Sequence, residues 1–154
     1  MSQHGLAYTF STPHFLYFKL QYSFNFYDVS RVDDEVKKYY QNHDRFICIY
    51  DLSEWELNTM DSIELTRRTE LEELEHGKLC SIYITLGNEH PARIMKAHIT
   101  NDKYINKTIF MAETYEEAFQ IVKSFELSTT EFLDKLRVFE EAYNALTDLE
   151  QYLL

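Results

Sequence analysis

The strongest constraint on the fold is an alternation. In the segment LYFKLQYSFNF (16–26), Leu16, Phe18, Leu20, Tyr22, Phe24 and Phe26 recur at every second residue, with Lys19, Gln21, Ser23 and Asn25 among the residues between them. A period of two puts these rings and aliphatic groups on one face of a strand and would scatter them around a helix. The segment therefore predicts a long strand with one buried face. It hairpins with LAYTF (6–10) across the turn residues Ser11, Thr12 and Pro13.

After this hairpin the pattern changes to strands separated by helices. Asp28 or Ser30 is suited to cap a helix reaching about His43, with Val29, Val32, Val36 and Tyr39 or Tyr40 as its apolar stripe. RFICIYD (45–51) and LCSIYITL (79–86) are near-continuous apolar runs, as expected of strands covered on both faces of a parallel sheet. Between them a helix opens at Asn58 or Thr59, runs through Glu75 and stops near Gly77. Pro91 fits the first turn of a helix over 90–100. KTIFMA (107–112) is a further strand, and Thr114 with Glu117 forms a capping box for a helix over 114–125. The order β-β-α-β-α-β-α-β-α implies an α/β fold with a mainly parallel sheet and an N-terminal antiparallel hairpin.

Residues 127–154 form an additional amphipathic helix beyond a domain spanning 1–126. Ser128 and Glu131 offer a capping box, and Phe132, Leu136, Phe139, Tyr143, Leu146 and Leu153 make a heptad-like stripe that Glu150 interrupts. The stripe can bury against the sheet or against its twin in a dimer; the intramolecular arrangement is favoured because one seam position is charged.

The 154 residues suffice for one domain with a sizeable core, and 12 Tyr and 11 Phe make that core or a contact surface strongly aromatic. The net charge of −11 argues against nucleic acid and anionic lipid as partners. Residues 113–154 alone hold ten acidic and three basic side chains. With three glycines, neither a phosphate-cradling loop nor a dinucleotide fingerprint can be assembled. Cys48 and Cys80 lie in apolar strands without metal or redox spacing and read as buried free thiols. No segment has the ~20 consecutive apolar residues of a membrane span, and no leader pattern is recognised, so a cytoplasmic setting is expected.

Two stretches carry a resemblance to a known family. ICIYDLSEW (47–55) is a buried strand running into Asp-Leu-Ser and an aromatic residue, and ITLGNEHPARIMKAH (84–98) is a strand, a turn and a helix beginning Pro-Ala-Arg. With the element order, they resemble the STAS-like proteins, the bacterial family of anti-sigma-factor-antagonist-like domains, over roughly residues 6–125. The resemblance implies a non-enzymatic regulatory or protein-interaction module. In the antagonist branch a serine after an aspartate at the start of the second helix is phosphorylated. Asp61-Ser62 keeps that pair, but Ile63 and Glu64 stand where a small residue and glycine are usual, and the spacing from Asp51 is longer. Ser62 is thus a phosphorylation candidate, set against the plainer reading of Asp61 and Ser62 as first-turn residues, which is preferred.

In open α/β sheets ligands bind beyond the C-terminal ends of the strands. That rim should collect Asp51, Ser53 and Trp55 from one connection and Asn88, His90 and Arg93 from the next. His90 and Arg93 can hold an anion, or Arg93 can pair with Asp51; the structural pair is preferred. Ser53, His90 and Asp51 lack the elbow of a serine hydrolase, and Glu73 with His76 reads as a solvated helix end rather than half of a metal site. No catalytic residue, metal or cofactor is expected. A protein partner and a homodimer are expected. The alternative is a binding protein for a small apolar, lipid-like or anionic ligand, with the rings of the first two strands lining a pocket instead of a core or an interface.

Overall fold

The computed structural model describes residues 4–99 and 103–153. The sheet has the linear order β1 (Leu6–Ser11), β2 (Phe15–Phe24), β3 (Phe46–Asn58), β4 (Lys78–Ile84), β5 (Ile109–Ala112). β1 pairs antiparallel with β2, and all other neighbours are parallel. The helices are α1 (Phe26–Tyr40), α2 (Met60–Glu75), α3 (Glu89–Ile99), a short α4 (Lys103–Asn106), α5 (Tyr115–Lys123) and α6 (Thr130–Leu153). The expected order is present. α4 is added to it, too short to carry an apolar period.

Each sheet face has its own core. Leu16, Phe18, Leu20 and Phe24 of β2 join Cys48, Tyr50 and Leu52 of β3 beneath α1, α2 and α3. Phe15, Tyr17, Ile47, Ile49 and Ile82 lie on the opposite face, beneath α5 and α6. The first half of β2 is therefore buried on both sides, which corrects the one-face expectation. Phe15 and Tyr17 are covered by rings from the far end of the chain, such as Phe132 at 5.1 Å from Phe15 and Phe139 at 5.3 Å from Tyr17. Phe26 does not continue the strand; it opens α1.

Several element ends differ from the sequence expectation for identifiable reasons. α1 is capped by Asn25, not Asp28 or Ser30: the Asn25 carboxamide accepts from the Asp28 amide at 2.9 Å, and the Asp28 carboxylate accepts from the Asn25 amide at 3.0 Å. α2 does end at Glu75, two residues before Gly77, whose φ of +101° and close approach to the Asp44 carbonyl leave no room for a Cβ. At α5, Thr114 accepts from the Glu117 amide, but the Glu117 carboxylate bonds the Glu113 amide, one residue outside a true capping box. α6 begins at Thr130, and Ser128 serves the Thr130 amide instead of forming the expected box with Glu131. Thr100 of the helix expected over 90–100 lies outside the described residues.

α6 packs on its own sheet. Phe132 and Leu136 are buried, Phe139 and Tyr143 half-buried, and Leu146 exposed, so the stripe leaves the core along its length. The side chains of Glu150 and Leu153 lie outside those described. Phe10 meets Phe132 at 5.5 Å and Tyr8 meets Tyr143 at 5.3 Å. These hairpin rings are half-buried, packed at the margin of the core that α6 covers.

One expectation on α2 fails outright. Glu73 does not sit at a solvated end with His76; it is buried, with Glu70, against Lys78. The Lys78 ammonium, fully buried, lies 2.5 Å from each carboxylate, and Ser81 donates to Glu70 at 2.8 Å. His76 instead stacks on Tyr40 at 4.4 Å. Cys48 and Cys80 are buried free thiols as expected; burial pushes Cys80 up to about 12 and Cys48 well above its ordinary value.

Candidate functional site at the strand rim

The rim is stepped because β3 overshoots its neighbour. β4 ends at Ile84, opposite Asp51, whereas β3 continues seven residues further, still paired with β2 as far as Phe24 and Asn58. What read as a crossover loop is strand. Two register shifts, between Lys19 and Gln21 and between Tyr22 and Phe24, let β3 carry more residues than β2 over the same length. Tyr22 takes a positive φ of 65° between them. These bulges absorb the long spacing between Asp51 and Asp61.

The first bulge also reverses facing. Asp51 and Trp55 are four residues apart and would share a face in a regular strand. Here Asp51 turns toward α5, and Trp55 packs in the opposite core with Leu52 and Met95. The two residues sequence reasoning grouped in one loop therefore serve different sides of the sheet.

Asp51 is the centre of the α5 side. Only 2% exposed, it accepts from Tyr115 at 2.6 Å, from the Ser53 hydroxyl at 2.6 Å and from the Ser53 amide at 2.9 Å. Lys19 stands 3.4 Å away, and the Tyr17 hydroxyl, itself 2.8 Å from that of Tyr115, lies at 3.5 Å. Lys19 also reaches Glu54 at 3.4 Å and lies over the Tyr143 ring at 4.7 Å from its centroid. Tyr143 donates to Glu54 and receives a bond from Gln21 at 2.6 Å. Burial, and behind it the Asp51 charge, holds the Tyr17 phenol far above its ordinary value; burial, then Tyr17 and Asp51, does the same for Tyr115. Both phenols remain donors at physiological pH, so this network fixes a carboxylate in place.

The other candidates divide. Ser53 joins Asp51. Trp55 is buried, donating its indole N–H to Asn58 at 2.8 Å. Asn88 pins the β4–α3 turn to the bulged strand, donating to the carbonyls of Leu52 at 2.7 Å and Trp55 at 2.5 Å. His90 and Arg93 are exposed on α3. The expected Asp51–Arg93 pair is absent: Arg93 reaches Glu89, one turn back on its own helix, at 3.5 Å, and Lys19, on the neighbouring strand, holds Asp51. Ser62 is completely buried in the first turn of α2, donating to the carbonyls of Thr59 at 2.7 Å and Phe24 at 3.2 Å. Sequence reasoning missed Lys19, Tyr17, Tyr115 and Tyr143. Tyr115, three residues after the last strand, was recoverable from the rule that named the other rim positions.

Among known proteins, a similar solved structure is an anti-sigma factor antagonist from Mycobacterium paratuberculosis. It shares 11% identity at a TM-score of 0.52, over 77% of this chain and 94% of that chain. The fold is STAS-like. No protein-family model matches the chain, nor does any curated protein sequence. In the STAS-like frame the bulged β2–β3 ribbon, the Asp51 network and the start of α2 all lie at the rim of the parallel strands. Among the described residues no group of three or more His, Cys, Asp or Glu is placed to hold a metal ion, and no helix is long and apolar enough to cross a membrane.

Proposed function

We propose that this STAS-like protein is a non-enzymatic regulatory module that works by binding proteins, and that it binds a second copy of itself. The observation that carries this reading is an uncovered apolar strip beside an open sheet edge. Among the described residues β1 is paired on one side only. Next to it, Phe10, Val138, Phe139 and Ala142, flanked by Glu131, Asp134 and Lys135, line a shallow groove between β1 and α6. Val138, in this groove, is 63% exposed. An edge strand and an apolar helix face side by side are two surfaces that a solitary domain ordinarily hides.

Pairing β1 antiparallel with its copy about a two-fold axis extends the sheet and sets α6 beside its twin. The acidic C-terminal segment repels its copy, so added salt should tighten the dimer. Light scattering at micromolar concentration tests this: a dimer is expected, Val138→Glu should give a monomer with unchanged circular dichroism, and a monomeric unmodified protein would refute self-association.

The non-enzymatic reading draws support from the closed bonding of Asp51 and Ser53, which leaves no unoccupied acid or nucleophile between them. The free thiols suit a reducing, cytoplasmic compartment. The enclosed cavity behind the hairpin rings, ≈ 50 Å³, is too small for a lipid-like ligand; the open groove between β1, β2 and α1, ≈ 640 Å³, has the volume of a drug-sized site, but Asp28, Arg31, Asp34, Glu35 and Lys38 in its lining make it charged. A Ser62 switch requires the first turn of α2 to open before any phosphate can arrive.

A further inference from the structure

The cavity between the sheet and helices α1, α2 and α3 carries an unbalanced charge. Its ≈ 50 Å³ are lined by Leu20, Phe24, Trp55 and Met95 and by three carboxylates, Asp33 of α1 and Glu70 and Glu73 of α2. Lys78 answers Glu70 and Glu73 together, at 2.5 Å each, and Lys37 holds one oxygen of Asp33 at 3.0 Å from the solvent side, where it is 41% exposed. Two amines face three acids. The neighbouring Asp34 and Glu72 add further negative potential at Asp33.

The remaining charge has a definite location. Asp33 is 8% exposed, and its Oδ1 is buried with no hydrogen-bond partner among the described residues. A buried carboxylate oxygen left bare is costly, so something must neutralise or solvate it. Burial pushes the Asp33 carboxyl upward despite Lys37, and burial with Glu70 raises Glu73 to about 7 despite Lys78. A proton is one way to close the balance; a cation is the other. Thr66 and Thr69 line the same cavity, and each spends its hydroxyl proton on a backbone carbonyl, leaving oxygen lone pairs free to accept. An ammonium group has three donors to distribute. The space exceeds the ~10–15 Å³ that one water needs but holds only a few heavy atoms.

We propose that this cavity is a binding site for a small primary alkylammonium ion of methylammonium or ethylammonium size, its N–H groups on Asp33 Oδ1 and the threonine hydroxyls and its carbon against the apolar wall.

Thermal unfolding at pH 8 and constant ionic strength tests the site with methylammonium chloride, against sodium chloride and the bulkier tetramethylammonium chloride. At ten times the dissociation constant methylammonium should raise Tm by about 3–5 °C, saturably, with no rise in tetramethylammonium. Asp33→Asn should abolish the response, and acidification should weaken it as the raised Asp33 carboxyl takes up protons. Equal Tm in methylammonium and sodium overturns the proposal and leaves protons or water as the occupants. An undiminished response in Asp33→Asn overturns it too, by placing the binding elsewhere. Should that variant fail to fold, a nuclear Overhauser contact between ¹³C-methylammonium and the Met95 methyl of the unmodified protein decides: its presence supports the site and its absence refutes it.

Discussion

Each face of the sheet buries a charged cluster, and the two are built in opposite ways. Under α2 the centre is a cation, Lys78, fully enclosed and held by two carboxylates and, through Glu70, by Ser81. Under α5 and α6 the centre is an anion, Asp51, held mainly by neutral hydroxyls with a single partly exposed lysine beside it. The contrast shows that similar burial admits different bonding. The desolvation of Lys78 is offset by two carboxylates in short contact. Asp51, just as buried at 2% exposure, is satisfied by tyrosine and serine hydroxyls and one lysine.

The largest test of this contrast is Lys78→Met, which leaves two buried carboxylates facing each other. It should cost about 3–5 kcal/mol in urea unfolding, and combining it with Glu70→Gln and Glu73→Gln should recover most of the loss. Asp51→Ala, by comparison, strands hydroxyls rather than charges and should cost about 1.5–3 kcal/mol. A loss at Asp51 equal to that at Lys78 would erase the distinction.

Titration sharpens the comparison next. Folded Glu73 holds its proton more tightly than the unfolded chain, with its pKa raised from 4.5 to about 7, chiefly by burial. The fold therefore binds more protons in that window, and stability falls as pH rises through it. The raised Asp33 carboxyl acts in the same direction. Lys78 is also raised, because its two carboxylates outweigh burial, so its contribution persists to above pH 10.5 and leaves the window untouched. Thermal melts from pH 4.5 to 8 should show this slope, and Glu73→Gln should flatten it. The smallest effect is expected at the outer margin of the rim cluster. Tyr143→Phe removes the bonds to Glu54 and Gln21, should cost about 0.5–1 kcal/mol, and should speed amide exchange in the second half of α6.

The parts legible in the sequence were those written in local periods. The alternation from Leu16 to Phe24, the apolar runs of β3 and β4 and the glycine after α2 each declare themselves within a few residues. The charged clusters do not. Tyr115 reaches Asp51 across 64 residues, and Glu70 meets Lys78 only because α2 returns beside the strand that follows it. Lys19 looked like a solvent-facing residue of a one-sided strand until α6 covered that face. The bulges were hidden for another reason: Ser53-Glu54 is as polar as any loop, and only the pairing of Glu54 with Gln21 and of Trp55 with Tyr22 makes the segment strand.

Ser62 deserves a kinetic description. Its hydroxyl hydrogen-bonds inside the first turn of α2 and to the end of β2. Any reagent or enzyme seeking that oxygen meets it only in the fraction of molecules whose turn has unwound, and its rate multiplies the chemical step by that fraction. The same opening exposes the amides of the turn, so the rate of hydrogen exchange there would be the clock against which every modification of Ser62 runs.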